Sequence, residues 1–250
     1  MDKFQVIAHR GASAISPENT MIAFNRAIEI GVDAIETDVQ MTKDGHLILI
    51  HDETLERTTN GTGRVKDLTL VEIKNLDAGS WFSSVYGGET IPTIDEFFKL
   101  IYPTMIWVNI EIKDGFIYYP GIEEALVQKI KEYELEERVV ISSFNHYSIV
   151  KIKELAPELK TAVLYLEGLY QPWEYARQLG AAALHPEKQL VYTDIVKVAH
   201  QEGLKVFPFT VDSKEEMKQM IQMNVNGLIT NVPDQLIVLL KEMEKEKEAY

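Results

Sequence analysis

"RVVISSFNHYSIVKIKELAPELKTAVLYL", residues 138–166, holds one full repeat of the pattern that decides the fold. A β-branched run, RVVISS, is followed by YSIVKIKELA, whose apolar residues fall at helical spacing, and then by a second apolar run, TAVLYL. A strand, a helix and a strand in that order read as two parallel strands joined by a covering helix. Working outward, strand-like runs recur at 4–8, 33–39, 105–112, 181–185, 204–210 and 226–230. Segments of helical spacing separate them, among them MIAFNRAIEIG, IDEFFKLI, IEEALVQKIKEY, WEYARQLG, DIVKVAHQEG, KEEMKQMIQM and DQLIVLLKEMEK. Eight strands, each followed by a helix, predict an α/β protein built as a (β/α)8 TIM barrel. An open doubly wound sheet is the competing arrangement, and the count of eight favours closure. Thr93 with Glu96, and Ser213 with Glu216, have capping-box spacing, and Pro17, Pro120, Pro172 and Pro233 stand near expected helix starts.

One segment breaks this rhythm. MTKDGHLILIHDETLERTTNGTG follows the second strand directly, with KDG marking a tight turn and HLILIHD a returning strand. Residues 41–91 are therefore expected to form an insertion between strand 2 and helix 2, made of turns and one short helix, lying over the C-terminal mouth. One barrel domain spanning 1–250 would carry it.

Composition narrows the chemistry. The 250 residues include no cysteine, which excludes disulfides, thiolate metal sites and a cysteine nucleophile. A net charge of −14 argues against nucleic acid, yet leaves room for a small anion where cations cluster locally. No apolar segment approaches the ~20 residues that span a bilayer, and the N-terminal apolar run is too short for a signal-peptide core, so a cytoplasmic chain without stable membrane insertion is expected. The tail KEMEKEKEAY reads as the solvated end of a last helix.

Strand side chains alternate between faces, so Glu36 and Asp38 in AIETDVQ point the same way, as do Asn109, Glu111 and Lys113 in VNIEIKD, with Ile110 and Ile112 turned to the helices. A single acid inside a barrel is readily explained by an ion pair with Lys113 or Arg10. Three carboxylates converging near the mouth repel one another, and a divalent cation removes that cost. Ligation by oxygen alone points to one Mg²⁺ or Ca²⁺ rather than zinc. If the hairpin reverses at KDG, His51 returns beside Glu36 and Asp38, while His46 stays in solvent near the turn. His9 ends the first strand, adjacent to the second. Two imidazoles flanking one cation can divide proton transfer between them. Arg10 offers a planar fork for a phosphate. Gly11 is expected to keep the turn slim for an approaching substrate. The SPENT stretch is expected to open a helix whose N–H groups attract an anion.

The blocks AHRGASAISPENT, AIETDVQMTKDGHLILIHDETLERTTNGTG, NIEIK and ALHP resemble, in order and over nearly the whole chain, the glycerophosphodiester phosphodiesterase family. The resemblance implies a (β/α)8 barrel with an insertion after strand 2. It also implies hydrolysis of small glycerophosphodiesters, such as glycerophosphocholine or glycerophosphoethanolamine, to sn-glycerol 3-phosphate and an alcohol. By the same resemblance His9 and His51 are the acid–base pair, and Glu36, Asp38 and Glu111 are the metal ligands. Arg10 and Lys113 then contact phosphate, and His185 contacts substrate. Phe209 stands where many members carry tryptophan on the wall against the glycerol or leaving group, and Asn231 where members often carry aspartate. A monomer or homodimer is expected.

Three rivals stand beside this reading. A phospholipase-type phosphodiesterase acting on intact lipid would need an exposed apolar rim, for which Trp81, Phe82 and Tyr86 are the only candidates, and these are expected to pack against the barrel. An aldolase or isomerase barrel would call for a Schiff-base lysine or a carboxylate base. A catalytically inactive binding module would show gaps in the constellation, and none is evident.

Overall fold

The computed structural model describes residues 3–115 and 117–248. In chain order the elements are β1 (Gln5–His9), α1 (Met21–Ile30), β2 (Ala34–Met41), β3 (Leu47–Leu49), α2 (Leu70–Lys74), α3 (Ile94–Ile101), β4 (Trp107–Ile112), α4 (Ile122–Glu132) and β5 (Val139–Ser143). They continue with α5 (His146–Leu155), β6 (Lys160–Tyr165), α6 (Pro172–Gln178), β7 (Ala183–Pro186), α7 (Thr193–Gln201), β8 (Lys205–Val206), α8 (Lys214–Gln222), β9 (Gly227–Thr230) and α9 (Pro233–Glu248).

Eight of these strands run parallel, in the order β8-β7-β6-β5-β4-β2-β1-β9. The ends of that row meet: Asn226 N–H donates to the Val206 carbonyl (3.0 Å), Ile229 N–H to that of Pro208 (3.1 Å) and Val211 N–H to that of Ile229 (3.0 Å). The sheet thus closes into a barrel. β1 and β9 approach so tightly that a Cβ on Gly227 would lie 2.3 Å from the Gln5 carbonyl oxygen, which only glycine permits. The eighth strand is shorter than the 204–210 run because Pro208 has no N–H to give to a ladder.

Burial follows the alternation. On β4, Val108, Ile110 and Ile112 are buried among the covering helices with Phe97, Phe98 and Leu126, while Asn109 and Glu111 turn inward. The barrel axis is filled by a separate apolar layer of Ile7, Ala34, Ala162, Ala183, Phe207 and Ile229. Above it, at the C-terminal ends of the strands, the inward residues become charged. Thr93 and Glu96 form the full capping box. At α8 only half the box exists, because the Glu216 carboxylate turns to Lys188 (2.8 Å). SPENT does not open a helix. Thr20 is the N-cap of α1 and its hydroxyl oxygen accepts the Ala23 N–H, so residues 17–20 form a turn and that donor is already used.

The insertion lies between β2 and α3. β3 pairs antiparallel with β2, Val39 opposite Leu49 and Met41 opposite Leu47, and Gly45 takes φ 84° at the turn. Ile48, Ile50, Leu55, Val65, Ile73, Ala78 and Ile91 give the insertion its own small core. The expected single short helix is α2, capped by Thr69 and Glu72. Trp81, Phe82 and Tyr86 stack edge to face at 5.7 Å and are tied down: the Trp81 indole donates to the Ala78 carbonyl, and the Tyr86 hydroxyl to that of Ile15. They are not the only apolar side chains near the mouth, contrary to expectation. Tyr118, Tyr147, Leu166, Tyr170 and Tyr192, from the loops and helix starts after β4, β5, β6 and β7, are all exposed. Loop positions carry no periodic signal, which is why the sequence did not single them out.

Candidate active site

Three neighbouring strands assemble the centre. In β1, β2 and β4 the register sets His9 beside Glu36, Glu36 beside Asn109, and Asp38 beside Glu111. Oxygens of Glu36, Asp38 and Glu111 lie within 4.8 Å of one another, and all three residues are buried. The hairpin brings the fourth contribution. Ile50 N–H donates to the Asp38 carbonyl (3.1 Å), which delivers His51 next to that carboxylate. His46 remains largely in solvent.

Cations line the acids. Lys113 Nζ stands 2.7 Å from Glu111 and 3.8 Å from Asp38. Arg10 Nε lies 3.4 Å from Asp38, its Nη1 donates to Glu18 (2.9 Å), and its backbone N–H donates to Glu36 (3.0 Å). Arg10 reaches this position from a left-handed backbone, φ 55°. The next residue, Gly11, is required for a different reason than expected: its Cβ would strike the Ala23 backbone at 2.7 Å, so helix α1 rather than substrate demands the glycine.

Each imidazole is anchored through Nδ1. Asp212 accepts from both the backbone N–H (2.8 Å) and the Nδ2 (2.7 Å) of Asn231. A carboxylate only accepts, so the amide oxygen of Asn231 must face His9, whose Nδ1–H donates to it at 2.7 Å. His9 Nε2 then looks toward Glu36, 3.9 Å away. His51 Nδ1 donates to Asp52 (2.6 Å), leaving its Nε2. Asp52 is in turn gripped by Arg57, which also forks onto Glu18 with two bonds of 2.8 Å. Asn19 donates to Asp38 (2.8 Å) and is itself oriented by Thr37. Glu18, Asn19, Asp52, Arg57 and Asp212 were not picked out as site residues from the sequence. For Glu18, Asp52 and Arg57 the one signal was charge inside the loops SPENT and HDETLER, where exposed charge is ordinary; Asn19 and Asp212 gave none. Removing the anchor has a measurable consequence: Asn231→Ala is expected to lower kcat roughly 10- to 100-fold, the usual effect of losing a partner that orients a reacting imidazole, with KM little changed in steady-state assays.

Burial and charge shift the ionisations in opposite directions. Burial, then the charges of Asp38 and Glu111, push the Glu36 carboxyl well above its ordinary value. Burial likewise pushes Glu111 up, to about 7, although Lys113 opposes it. Burial would also lift Asp38, but Arg10, Lys113 and His51 together hold it far below the usual range. His9 is pulled down to about 4 by burial and by Arg10. His51 is lowered by burial, with Asp38 and Asp52 opposing.

His185 and Phe209 occupy another wall, on β7 and after β8. His185 is fully buried edge to face with Phe207 (5.7 Å), and neither ring nitrogen has a hydrogen-bond partner among the described residues. Burial holds its pKa down to about 3, so the ring is neutral. Phe209, half-buried, meets Phe144 edge to face at 5.9 Å.

The acidic group suits a hard divalent ion. Oxygen ligands at 2.0–2.6 Å from such an ion stand at most about 5 Å apart, and these do. Asp38 Oδ1 is buried and accepts no hydrogen bond. Five carboxylates (Glu18, Glu36, Asp38, Asp52, Glu111) face three cations (Arg10, Arg57, Lys113), which leaves a charge of −2 when all five are ionised and both imidazoles are neutral, the state that burial of Glu36 and Glu111 opposes.

Known proteins resemble this chain in sequence and in fold. The model of the glycerophosphoryl diester phosphodiesterase family matches residues 9–235. A glycerophosphodiester phosphodiesterase of Caldanaerobacter subterraneus subsp. tengcongensis is 54% identical over 96% of this chain and 99% of its own, and one of Bacillus altitudinis is 40% identical over 96% and 99%. Among solved structures, a phosphodiesterase of Oleispira antarctica in complex with the product sn-glycerol-3-phosphate superposes with a TM-score of 0.86 at 30% identity, covering 95% of this chain and 96% of that one. With the match running from His9 into the last helix, this chain belongs to the glycerophosphoryl diester phosphodiesterase family.

Proposed function

We propose that this enzyme hydrolyses small glycerophosphodiesters, such as glycerophosphocholine or glycerophosphoethanolamine, to sn-glycerol 3-phosphate and an alcohol. One Mg²⁺ or Ca²⁺ is held by Glu36, Asp38 and Glu111. The observation that carries the reading is the placement of two Nδ1-anchored imidazoles on either side of a buried acidic triad that two cations flank. A divalent cation in the triad supplies positive charge for a non-bridging phosphate oxygen and favours ionisation of a hydroxyl drawn to it. Arg10 and Lys113 hold the remaining phosphoryl oxygens and meet the charge that grows on them. The two histidines are unequal. Protonating His51 makes an ion pair with Asp52 at 2.6 Å, whereas protonating His9 sets a charge beside Arg10, with an amide at Nδ1 and, 3.9 Å from Nε2, a Glu36 carboxyl that burial pushes toward its neutral form. His51 is therefore the proton donor to the leaving alkoxide, and His9 takes the proton of the nucleophile. Phe209 forms part of the wall against the rest of the substrate, and His185, fully buried against Phe207, backs that wall rather than touching the substrate as expected. A coupled assay for sn-glycerol 3-phosphate release should show turnover of both diesters, abolition by chelator, and recovery with Mg²⁺ or Ca²⁺; turnover unaffected by chelation overturns the metal.

The exposed tyrosines favour a second reading, a phospholipase-type phosphodiesterase acting on intact lipid, whose tail is carried by the glycerol. Tyr147 and Tyr170 are 87% and 89% exposed, and with Tyr118, Leu166 and Tyr192 they follow the C-terminal ends of four consecutive barrel strands, β4 to β7. Tyrosine suits a boundary between water and lipid. Among the described residues no helix is long and apolar enough to cross a membrane. Cosedimentation with phosphatidylcholine vesicles, together with faster choline release from lysophosphatidylcholine than from glycerophosphocholine, supports this reading. An enzyme that stays in the supernatant and prefers the soluble diester rules it out.

A further inference from the structure

Above the apolar layer on the barrel axis, the next inward-facing residue is polar on four strands. Two positions beyond Ala34, Trp107, Val140 and Ala183 stand Glu36 on β2, Asn109 on β4, Ser142 on β5 and His185 on β7. Glu36 belongs to the acidic triad. The other three do not, and they are as deeply buried: Ser142 and His185 are 0% exposed and Asn109 1%. Four of their polar atoms, Asn109 Oδ1, Ser142 Oγ and both ring nitrogens of His185, have no hydrogen-bond partner among the described residues. A buried polar atom that gives up hydration for nothing is costly, and interiors rarely leave several such atoms in one place.

The register shows why the three side chains do not satisfy one another. Ser142 and His185 are separated by β6, whose Ala162, opposite both Ser142 and Ala183, offers only a methyl group. Phe207, just past β8, holds the His185 ring edge to face with centres 5.7 Å apart. The unused donors and acceptors match water. The His185 ring is neutral, so one nitrogen donates and the other accepts. A serine hydroxyl does both, and an amide oxygen accepts only. A buried water has two protons and two lone pairs, and typically serves about three such groups. The same register brings this polar set against the reaction centre, with Asn109 beside Glu36 and Ser142 beside Glu111.

We propose that Asn109, Ser142 and His185 bind ordered water at the foot of the acidic triad, and that this water, bonded also to the Glu36 and Glu111 carboxylates, makes His185 a positioning residue for the divalent ion. The first half stands by itself, and the second rests on the metal reading above. A ring held by Phe207 fixes the direction in which the water is bonded, and the water in turn fixes the carboxylates. Partners that stand behind a metal ligand and orient it are worth about 10- to 100-fold in ion affinity or activity.

The test has two parts, both on the full chain. A crystal structure of the Ca²⁺-loaded enzyme should show ordered water within hydrogen-bond distance of Ser142 Oγ and of a His185 nitrogen. A dry site, or a direct bond between two of the three side chains, overturns the proposal. Calorimetric titration with Mg²⁺ and with Ca²⁺ reads the positioning. Ser142→Ala and His185→Leu should each weaken ion binding roughly tenfold and lower kcat to a similar degree with KM nearly unchanged. His185→Gln, whose amide keeps a donor and an acceptor, should recover most of both losses. Ser142→Ala removes a single oxygen and gives the reading even where His185→Leu does not fold. Ion affinity unaltered in these variants, or His185→Gln no better than His185→Leu, confines the water to packing and overturns the positioning role. An unaltered chain that binds neither ion removes the metal reading and the positioning together, while the water site is still decided by the crystal.

Discussion

Replacing His51 by alanine is expected to lower kcat for glycerophosphocholine by roughly 10²–10⁴-fold, the span attributed to a positioned general acid or base. The size of the loss depends on the leaving group. Choline departs as an alkoxide that must be protonated, and the His51 ring, with Asp52 stabilising its cationic form through a 2.6 Å bond, is built to supply that proton. An aryl diester of glycerol 3-phosphate releases a phenolate that needs no proton. On that substrate His51→Ala should lose only about tenfold, because the remaining loss is of positioning alone. His9→Ala should penalise both substrates equally, since taking the proton from the nucleophile is required whatever leaves. Parallel kcat measurements on the two substrates decide it. Equal losses in His51→Ala, paired with leaving-group rescue of His9→Ala, would reverse the two roles, and wild-type turnover in both variants would remove the histidines from the reaction.

The centre was legible in the sequence because it is built on strands. A two-residue period forces Glu36 and Asp38 onto one face, and charged residues inside apolar β-strands are conspicuous. The KDG turn then sets where His51 returns. By contrast, Arg57 meets Glu18 across 39 positions of chain, and Asn231 meets His9 across 222. Each involves a loop, where no period predicts a contact. Asp212 is the clearest case: it orients the amide that orients His9, and nothing in VDS distinguishes it from an ordinary solvated turn. Local rules also misdirected the reading. Pro17 near an expected helix start suggested that SPENT opens a helix, but the stretch turns first and uses Glu18 and Asn19 to hold Arg10 and Asp38. Tyr118, Tyr170 and Tyr192 lay outside every periodic segment, and Tyr147, at the start of YSIVKIKELA, gave no sign that it would stand exposed.

The acidic triad yields the second large effect, and it concerns stability as well as rate. In chelator, Glu111 keeps its proton in the folded chain up to about pH 7, because burial and Asp38 raise it, whereas the unfolded chain releases that proton near the ordinary carboxylate value. A raised folded pKa means stability that is fully present at low pH and lost as pH rises through the folded value. Glu36 acts in the same direction, and Asp38, held low, loses its contribution only in strong acid. For Glu111 alone the loss between about pH 5 and pH 8 is of the order of 3 kcal/mol, a fall in Tm of about 5–10 °C for a chain of this size. Saturating Mg²⁺ or Ca²⁺ should cancel the fall, since the ion binds the ionised carboxylates and only in the folded chain. Glu111→Gln removes a charge that must otherwise be buried. In chelator at the upper end of that range it should melt higher than the unaltered chain, gain little from the ion, and retain less than about a hundredth of the activity, as expected when a ligand of a catalytic ion is lost. Melting curves across pH, with and without the ion, separate the possibilities. A Tm level with pH in chelator, and unmoved by either ion at the alkaline end, means that Glu36, Asp38 and Glu111 settle their charge among Arg10, Lys113 and bound protons, with no cation at the mouth of the barrel.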